Sequence, residues 1–224
     1  MKIDLHCHSY YSDDGLSSPR DLIKEALKKG LDGIALTDHE TTKGWEEAKK
    51  AAKELGAFLI LGEEIKVEKN RKKVGDILAF FIKEKIKSRE IFLAIKEIKD
   101  QGGLVFVAHP FHFREKFRDN LEEYLGLIDG IEVFNGRSFT NGANEKALFF
   151  AKKYNLPMIG GSDAHFKGAV GSVFTEAEAK NLEEFKRAIL ERKTEIARKT
   201  SSFIYLFAPF LGKIKHLPSK IKKA

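Results

Sequence analysis

Residues 3–15 read IDLHCHSYYSDDG. Ile3 and Leu5 alternate with Asp4, His6 and His8, the period of an extended strand. That period predicts Asp4, His6 and His8 on one face and Ile3, Leu5 and Cys7 on the other. Neutral imidazole is the commonest side-chain donor to divalent transition metals, so an HxH pair on one strand face has the pattern of a metal site. The same pattern also suits two surface histidines on a half-buried strand. What the other strands carry at the corresponding position decides both the function and the fold.

Strand and helix signals alternate along the chain. After the first strand, SPRDLIKEALKKG reads as a helix with Ser18 as its cap, Pro19 in the first position, Asp21 completing a capping box and Gly30 as its stop. LDGIALTDH is a strand and GWEEAKKAAKELG a helix. AFLILGEEIKVE is a strand expected to pair with GDILAFFI across the turn KNRKK. The helix SREIFLAIKEIKDQGG leads to the strand LVFVAHP, and the strand IDGIEVFN to the helix GANEKALFFAKKYN. LPMIGGSDAH, GSVFTEA, the helix NLEEFKRAILERK and a short TEIAR complete the order. Repeated β-then-α units predict a mainly parallel sheet with helices outside. Ligand-type residues recur at the C-terminal ends of successive strands: His6 and His8, His39, Glu64, His109, Asp163 and His165. In a closed barrel these ends meet around one mouth, whereas opposite edges of an open sheet stand too far apart to share a site. A barrel, distorted and short of eight units, is therefore expected.

Composition agrees with one large domain and limits the alternatives. Of 224 residues, 42% are apolar, enough for a filled core. The net charge of +7 suggests nucleic acid at first, but residues 200–224 carry five lysines and no acid, which leaves only +2 for the rest. The expected organisation is a barrel domain over residues 1–199 and an apolar, then basic, tail over residues 200–224. The apolar run from Phe203 to Leu211 is interrupted by Pro209 and is shorter than the roughly 20 residues of a membrane-spanning helix. It is expected to pack on the barrel wall or on a second copy, which makes a homo-oligomer one outcome. Cys7 is the single cysteine, which excludes an intramolecular disulfide and a zinc ribbon. The chain begins directly with a strand rather than an apolar leader, so a cytoplasmic location is expected.

Five segments in order, DLHCHSYYSDDG, IALTDHETTKG, GEEI, VAHP and GGSDAH, resemble the successive motifs of the PHP (polymerase and histidinol phosphatase) superfamily of metal-dependent phosphoesterases. The resemblance runs from Met1 to about residue 198. It implies a distorted TIM-like (β/α)7 barrel with two or three divalent ions, Mn²⁺, Zn²⁺ or Fe²⁺, at the C-terminal mouth of the strands. Carried over by position, His6, His8, Glu64 and Asp163 would hold one ion. Glu64 would bridge to a second, with His109 and the residue at position 76. Asp14, His39 and His165 would hold a third, with Asp14 preferred to Asp13 because the family's ligand directly precedes the glycine, here Gly15. Position 76 departs from the pattern: related sequences carry histidine there and this chain has Asp76. A hard oxygen donor favours Mn²⁺ or Fe²⁺ over an all-imidazole zinc site, and the plainer alternative is a turn residue after Gly75. Asp4 and Asp38 read as carboxylates that orient imidazoles. Arg114 and Arg137 follow strand ends and are candidate clamps for a phosphate.

No serine or cysteine lies in a nucleophile motif, so no catalytic side chain is expected beyond a metal-bound hydroxide attacking a phosphate ester. The expected partner is a small phosphorylated substrate: a phosphomonoester, a nucleotide phosphate or an oligonucleotide end, with nucleic acid binding left open. Two rivals remain. An amidohydrolase would carry a bridging lysine at a strand end and no histidine two residues after the late aspartate. A non-catalytic regulatory or nucleic-acid-binding module on the same barrel would have lost ligands, and only position 76 is altered.

Overall fold

The computed structural model describes residues 1–138 and 142–198; the tail over residues 200–224 lies outside them. The first strand, β1 (Lys2–Cys7), leads to α1 (Pro19–Lys28), whose cap is the expected one: Ser18 Oγ accepts from the Asp21 N–H at 3.0 Å. Leu22, Ile23 and Ala26 form the stripe that α1 buries. β2 (Gly33–Leu36), α2 (Trp45–Leu55) and β3 (Phe58–Lys69) continue the alternation. β3 then turns directly into β4 (Lys72–Phe80), the hairpin read from the sequence. α3 (Ile91–Asp100), β5 (Leu104–Val107), β6 (Gly130–Asn135), α4 (Ala143–Lys153) and β7 (Met158–Gly161) restore the alternation. β8 (Val173–Glu176), α5 (Leu182–Leu190) and β9 (Glu195–Arg198) finish it.

The sheet order is β7-β6-β5-β4-β3-β2-β1-β8-β9. β1, β2 and β3 are parallel, and β5, β6 and β7 are parallel. β4 runs against both β3 and β5, and β8 runs against β1. The ends of this sheet curl together: the His8 N–H donates to the Ala164 carbonyl at 2.8 Å, the Ala164 N–H to the His6 carbonyl at 3.1 Å, and the Gly160 N–H to Thr175 Oγ at 2.9 Å. The result is the nearly closed, distorted barrel of the (β/α)7 type that the strand ends predict. The seam demands glycine. A Cβ on Gly161 would lie 2.4 Å from His6 Cβ and 2.7 Å from His6 N.

Two apolar layers hold the barrel. Ile3, Leu5, Ala35, Ile60, Leu78, Phe80, Leu104, Phe106 and Ile159 fill its interior, joined by Phe185 and Ile189 of α5. The second layer lies between the strands and the helices and includes Cys7, Leu36, Ile65, Ile77, Val107 and Ile131. This corrects the strict alternation expected for β1. The β1–β2 register shifts between Asp4 and Cys7, and such a bulge re-aims the side chains beyond it. Ile3 and Leu5 face the interior below the mouth, while Cys7 faces the helix layer. Asp4 has turned away from His6 and His8 toward Ser162 and Gly171.

Candidate metal centre

The mouth of the barrel gathers the predicted donors around one carboxylate. Glu64 Oε2 stands 3.2 Å from His6 Nε2, from His8 Nε2 and from His39 Nδ1. Glu64 Oε1 lies 2.9 Å from His109 Nε2. These four imidazoles arrive from β1 and the loops after β1, β2 and β5. Asp163 and His165 come from the loop after β7. Asp163 Oδ1 is 3.7 Å from His6 Nε2 and 3.4 Å from His8 Nε2. On the far side Asp14 Oδ2 lies 3.2 Å from His165 Nε2 and 3.6 Å from His39 Nε2. The turn that presents Asp14 needs Gly15, where a Cβ would sit 1.8 Å from the Ser9 carbonyl oxygen. Asp13 is exposed, but it too has a carboxylate oxygen within reach of the Asp14–His39 pair. His109 and Asp163 carry positive φ angles, 30° and 53°. Such backbone costs of order 1–3 kcal/mol and clusters where side-chain aim matters.

These residues fit divalent ions. Six buried atoms of these residues lack a hydrogen-bond partner: His8 Nε2, His39 Nδ1, His109 Nδ1, His165 Nε2, Asp14 Oδ1 and Asp76 Oδ1. Leaving buried polar atoms unpaired is costly, and a cation relieves several at once. Donors about 2.0–2.2 Å from one ion stand roughly 3.3–3.6 Å from each other in a tetrahedral arrangement. The contacts here, 3.2 to 3.7 Å, have that spacing. Two rings are also held in the tautomer a metal needs. His6 Nδ1 donates to Glu132 Oε1 at 2.9 Å, and His165 Nδ1 to the Asp163 carbonyl at 2.9 Å, which leaves each Nε2 lone pair facing the donor cluster.

Electrostatics follow from the crowding. Burial alone would push the His6 ring down, but the carboxylates of Glu132, Asp163 and Glu64 outweigh it and raise its proton affinity well above the ordinary imidazole value. His8, also buried, is raised to about 9 through Asp163 and Glu64. His109 is raised to about 10 through Glu64 despite its burial. In return, Glu64 and Asp163 lie well below the carboxylate range although burial opposes it. His6 and His39 lower the first; Arg137 and His6 lower the second. Asp76 goes the other way, raised by burial and by the neighbouring Glu64 charge.

Asp76 reaches the same mouth by an unexpected route. It sits at the middle of β4, and because β4 is antiparallel, the half of the strand before it lies at the end where the parallel strands finish. Its Oδ2 accepts from Lys73 Nζ at 2.9 Å.

The supporting groups differ from expectation. Asp4 touches His6 only through the backbone N–H, at 3.3 Å; otherwise it accepts from Ser162 and from the Gly171 N–H. The bulge in β1 is the reason. Asp38 acts at one remove, accepting from Ser9 and from Ser12 Oγ, which lies 3.3 Å from His8 Nδ1. The carboxylate that orients an imidazole directly is Glu132, which also accepts from the His109 N–H at 2.8 Å and Asn135 Nδ2 at 3.1 Å. Its signal in the sequence is a lone acid inside the apolar strand GIEVFN.

The two arginines divide. Arg137 lines the cleft, with Nη1 3.3 Å from Asp163 Oδ2; burial works against its charge, but Asp163 holds it firmly protonated. Arg114 is exposed on the loop after β5, away from the cleft lining. Lys66 and Lys73 take the rim in its place, together with Glu115. Lys66 was legible as the residue two beyond Glu64 on one strand face.

Comparison with known proteins agrees with this architecture. A family model described as PHP domain matches residues 4–204. An uncharacterized protein of Methanocaldococcus jannaschii is 38% identical over 159 residues, 66% of this chain and 90% of its own length. A 5'-3' exoribonuclease of Haemophilus influenzae is 52% identical over 64 residues, 29% of this chain and 23% of its own. A Bacteroides vulgatus structure, described as a two-domain protein containing a predicted PHP-like metal-dependent phosphoesterase, superposes with a TM-score of 0.76 at 26% identity. That match covers 95% of this chain and 69% of the other. No helix among the described residues is long and apolar enough to cross a membrane. The matched span takes in every proposed donor of the mouth and all but the first residues of β1, and the chain belongs to the PHP-domain family.

Proposed function

We propose that this chain is a metal-dependent phosphoesterase that hydrolyses a small phosphomonoester, a nucleotide phosphate or the end of an oligonucleotide. One observation carries the reading: eight ligand-type side chains gather around Glu64, beneath a rim of Arg137, Lys66 and Lys73. The proposed donors are His6, His8, Asp14, His39, Glu64, Asp76, His109, Asp163 and His165. Two or three divalent ions bound there supply an activated water and neutralise charge on phosphoryl oxygens; the oxygen donor at Asp76 favours Mn²⁺ or Fe²⁺ over an all-zinc site. Glu132 and the Asp163 carbonyl fix the tautomers of His6 and His165. Arg137, tethered by Asp163, offers its remaining N–H groups to a phosphate oxygen. Lys66 and Lys73 present point charges to the same anion from the β3–β4 hairpin. The stretch shared with the exoribonuclease supports keeping an oligonucleotide end among the substrates.

An amidohydrolase reading is less well supported: the bridging position is a glutamate, and the nearby lysines stand at the rim rather than between donors. The test is elemental analysis of purified protein, then a panel of phosphomonoesters, nucleotides and 5'-labelled oligonucleotides with Mn²⁺, Fe²⁺ or Zn²⁺ restored singly. Metal-dependent phosphate release from any of these is expected. A protein that takes up no divalent ion, or hydrolyses amides and no phosphoester, would sink the proposal.

A further inference from the structure

We propose that Lys73 is a resident counter-cation of Asp76, and that it makes the ion position served by Glu64, His109 and Asp76 the weakest of the centre and the last to fill. The proposal rests on the metal-centre reading above and deepens it.

The sequence gives no reason for Lys73 and Asp76 to meet, since residues three apart on a regular strand point to opposite faces. The hairpin register supplies the reason. Val67 pairs with Gly75 and Glu68 with Lys73, so Val74 is an extra residue in β4. A bulge of this kind bends the strand and re-aims the side chain beyond it. Lys73 Nζ is thereby delivered to Asp76 Oδ2 at 2.9 Å. Across the hairpin, Lys66 is paired directly with Asp76, so a second ammonium faces the same carboxylate's surroundings.

Asp76 is the one proposed donor held this way at the expense of the cluster. Asp163 also meets a cation, Arg137, but through Oδ2, and it keeps Oδ1 between His6 and His8. Among the described residues, the tight donor groups are His6–His8–Asp163, His8–His39–His165, Asp13–Asp14–His39 and His6–Glu64–His109; Asp76 is in none of them. A buried carboxylate with one oxygen on an ammonium and the other unpartnered is occupied yet unsatisfied. An incoming dication must compete with the ammonium for Asp76. Lys73 has 39% of its side chain exposed and so has room to swing out toward solvent. The competition weakens the position without abolishing it, and the displaced ammonium remains in the cleft where a substrate anion would lie.

The experiment is a stepwise Mn²⁺ titration of the chelator-stripped full chain, following free Mn²⁺ by electron paramagnetic resonance. Lys73→Met keeps the length of the stem and removes the charge; it should tighten the weakest site roughly tenfold or more, the scale of changes next to a ligand, and leave the tighter sites essentially unchanged. Lys73→Arg should behave as wild type. Asp76→Asn should delete the weakest site, and adding Lys73→Met to it should then change nothing. Lys73→Gln provides the same readout should the methionine variant fail to fold. An unchanged weakest site in folded Lys73→Met, or equal tightening at every site, would overturn the proposal while leaving the metal centre standing. A wild-type protein that binds no Mn²⁺, Fe²⁺ or Zn²⁺ would remove the metal centre itself, and this inference with it.

Discussion

Glu132 Oε1 lies 2.9 Å from His6 Nδ1, with both side chains fully buried beneath the mouth. The bond fixes which nitrogen of His6 carries the proton and aims the other at Glu64. Glu132→Gln keeps the volume and removes the charge, and its single amide oxygen cannot accept from both the His6 ring and the His109 N–H, so the His6 ring loses the charged acceptor that orients it and part of its basicity. Partners of this kind are worth about 10–100-fold in metal affinity. Chelator competition should register a loss in that range with the fold intact by circular dichroism. Wild-type affinity in the variant would mean that His6 is not a ligand.

Glu64 touches four imidazoles and is the common member of the cluster. Glu64→Gln should therefore cost more than one ion, whereas loss of a peripheral donor such as Asp14 should cost one. Metal content by mass spectrometry distinguishes the two. Phosphoesterase activity should fall at least about 100-fold in Glu64→Gln, beyond the range of an orienting partner. Equal stoichiometry in the two variants would remove Glu64 from its bridging position.

The barrel was legible because ligand-type residues recur at or near the ends of several strands, as with His109 before Pro110. The same pattern pointed to His6, His8, His39, Glu64, His109, Asp163 and His165, which the structure brings together at the mouth, whereas Asp14 and Asp76 were singled out by the resemblance alone. Two things were hidden, and both are bulges. The register shift in β1 turns Asp4 away from His6, and the extra Val74 in β4 turns Lys73 toward Asp76. A bulge depends on how a strand fits its partner across the sheet, and no local residue pattern in either stretch announces it. Arg114 illustrates the converse: a cation after a strand end reads as a clamp, but the loop that follows β5 carries it outward.

Metal uptake should release protons. Burial lowers the affinity of His8 and His109 for a proton, but Asp163 and Glu64 raise them overall, to about 9 and about 10. Both rings are therefore protonated at pH 7 in the metal-free protein, and a ligand must be neutral. His6 is raised in the same direction by Glu132, Asp163 and Glu64, so roughly three protons should leave at pH 7 as the positions fill. Apparent affinity should climb with pH and flatten above about 9–10. Calorimetry in two buffers of different ionisation enthalpy measures the release directly, and identical heats in both would contradict it.

Gly161 is where β7 passes against β1, and an added methyl would meet His6 Cβ at 2.4 Å and His6 N at 2.7 Å. Neither atom can swing aside, since both are anchored to the backbone of β1. In Gly161→Ala the strands must therefore part, and the bonds at risk are those that seat the site: His8 N–H to the Ala164 carbonyl and Ala164 N–H to the His6 carbonyl. Overpacking of this kind costs about 1–3 kcal/mol. Gly160 provides the control. A methyl there meets mainly side-chain tips, Ile196 Cγ2 at 2.6 Å and Val173 Cγ1 at 3.0 Å, on the side away from the donors. Both variants should lower the urea midpoint, but only Gly161→Ala should also weaken metal binding, because only there does the strain move His6 and His8. Equal metal affinity in the two variants, at equal loss of stability, would mean that the seam supports the barrel and not the centre.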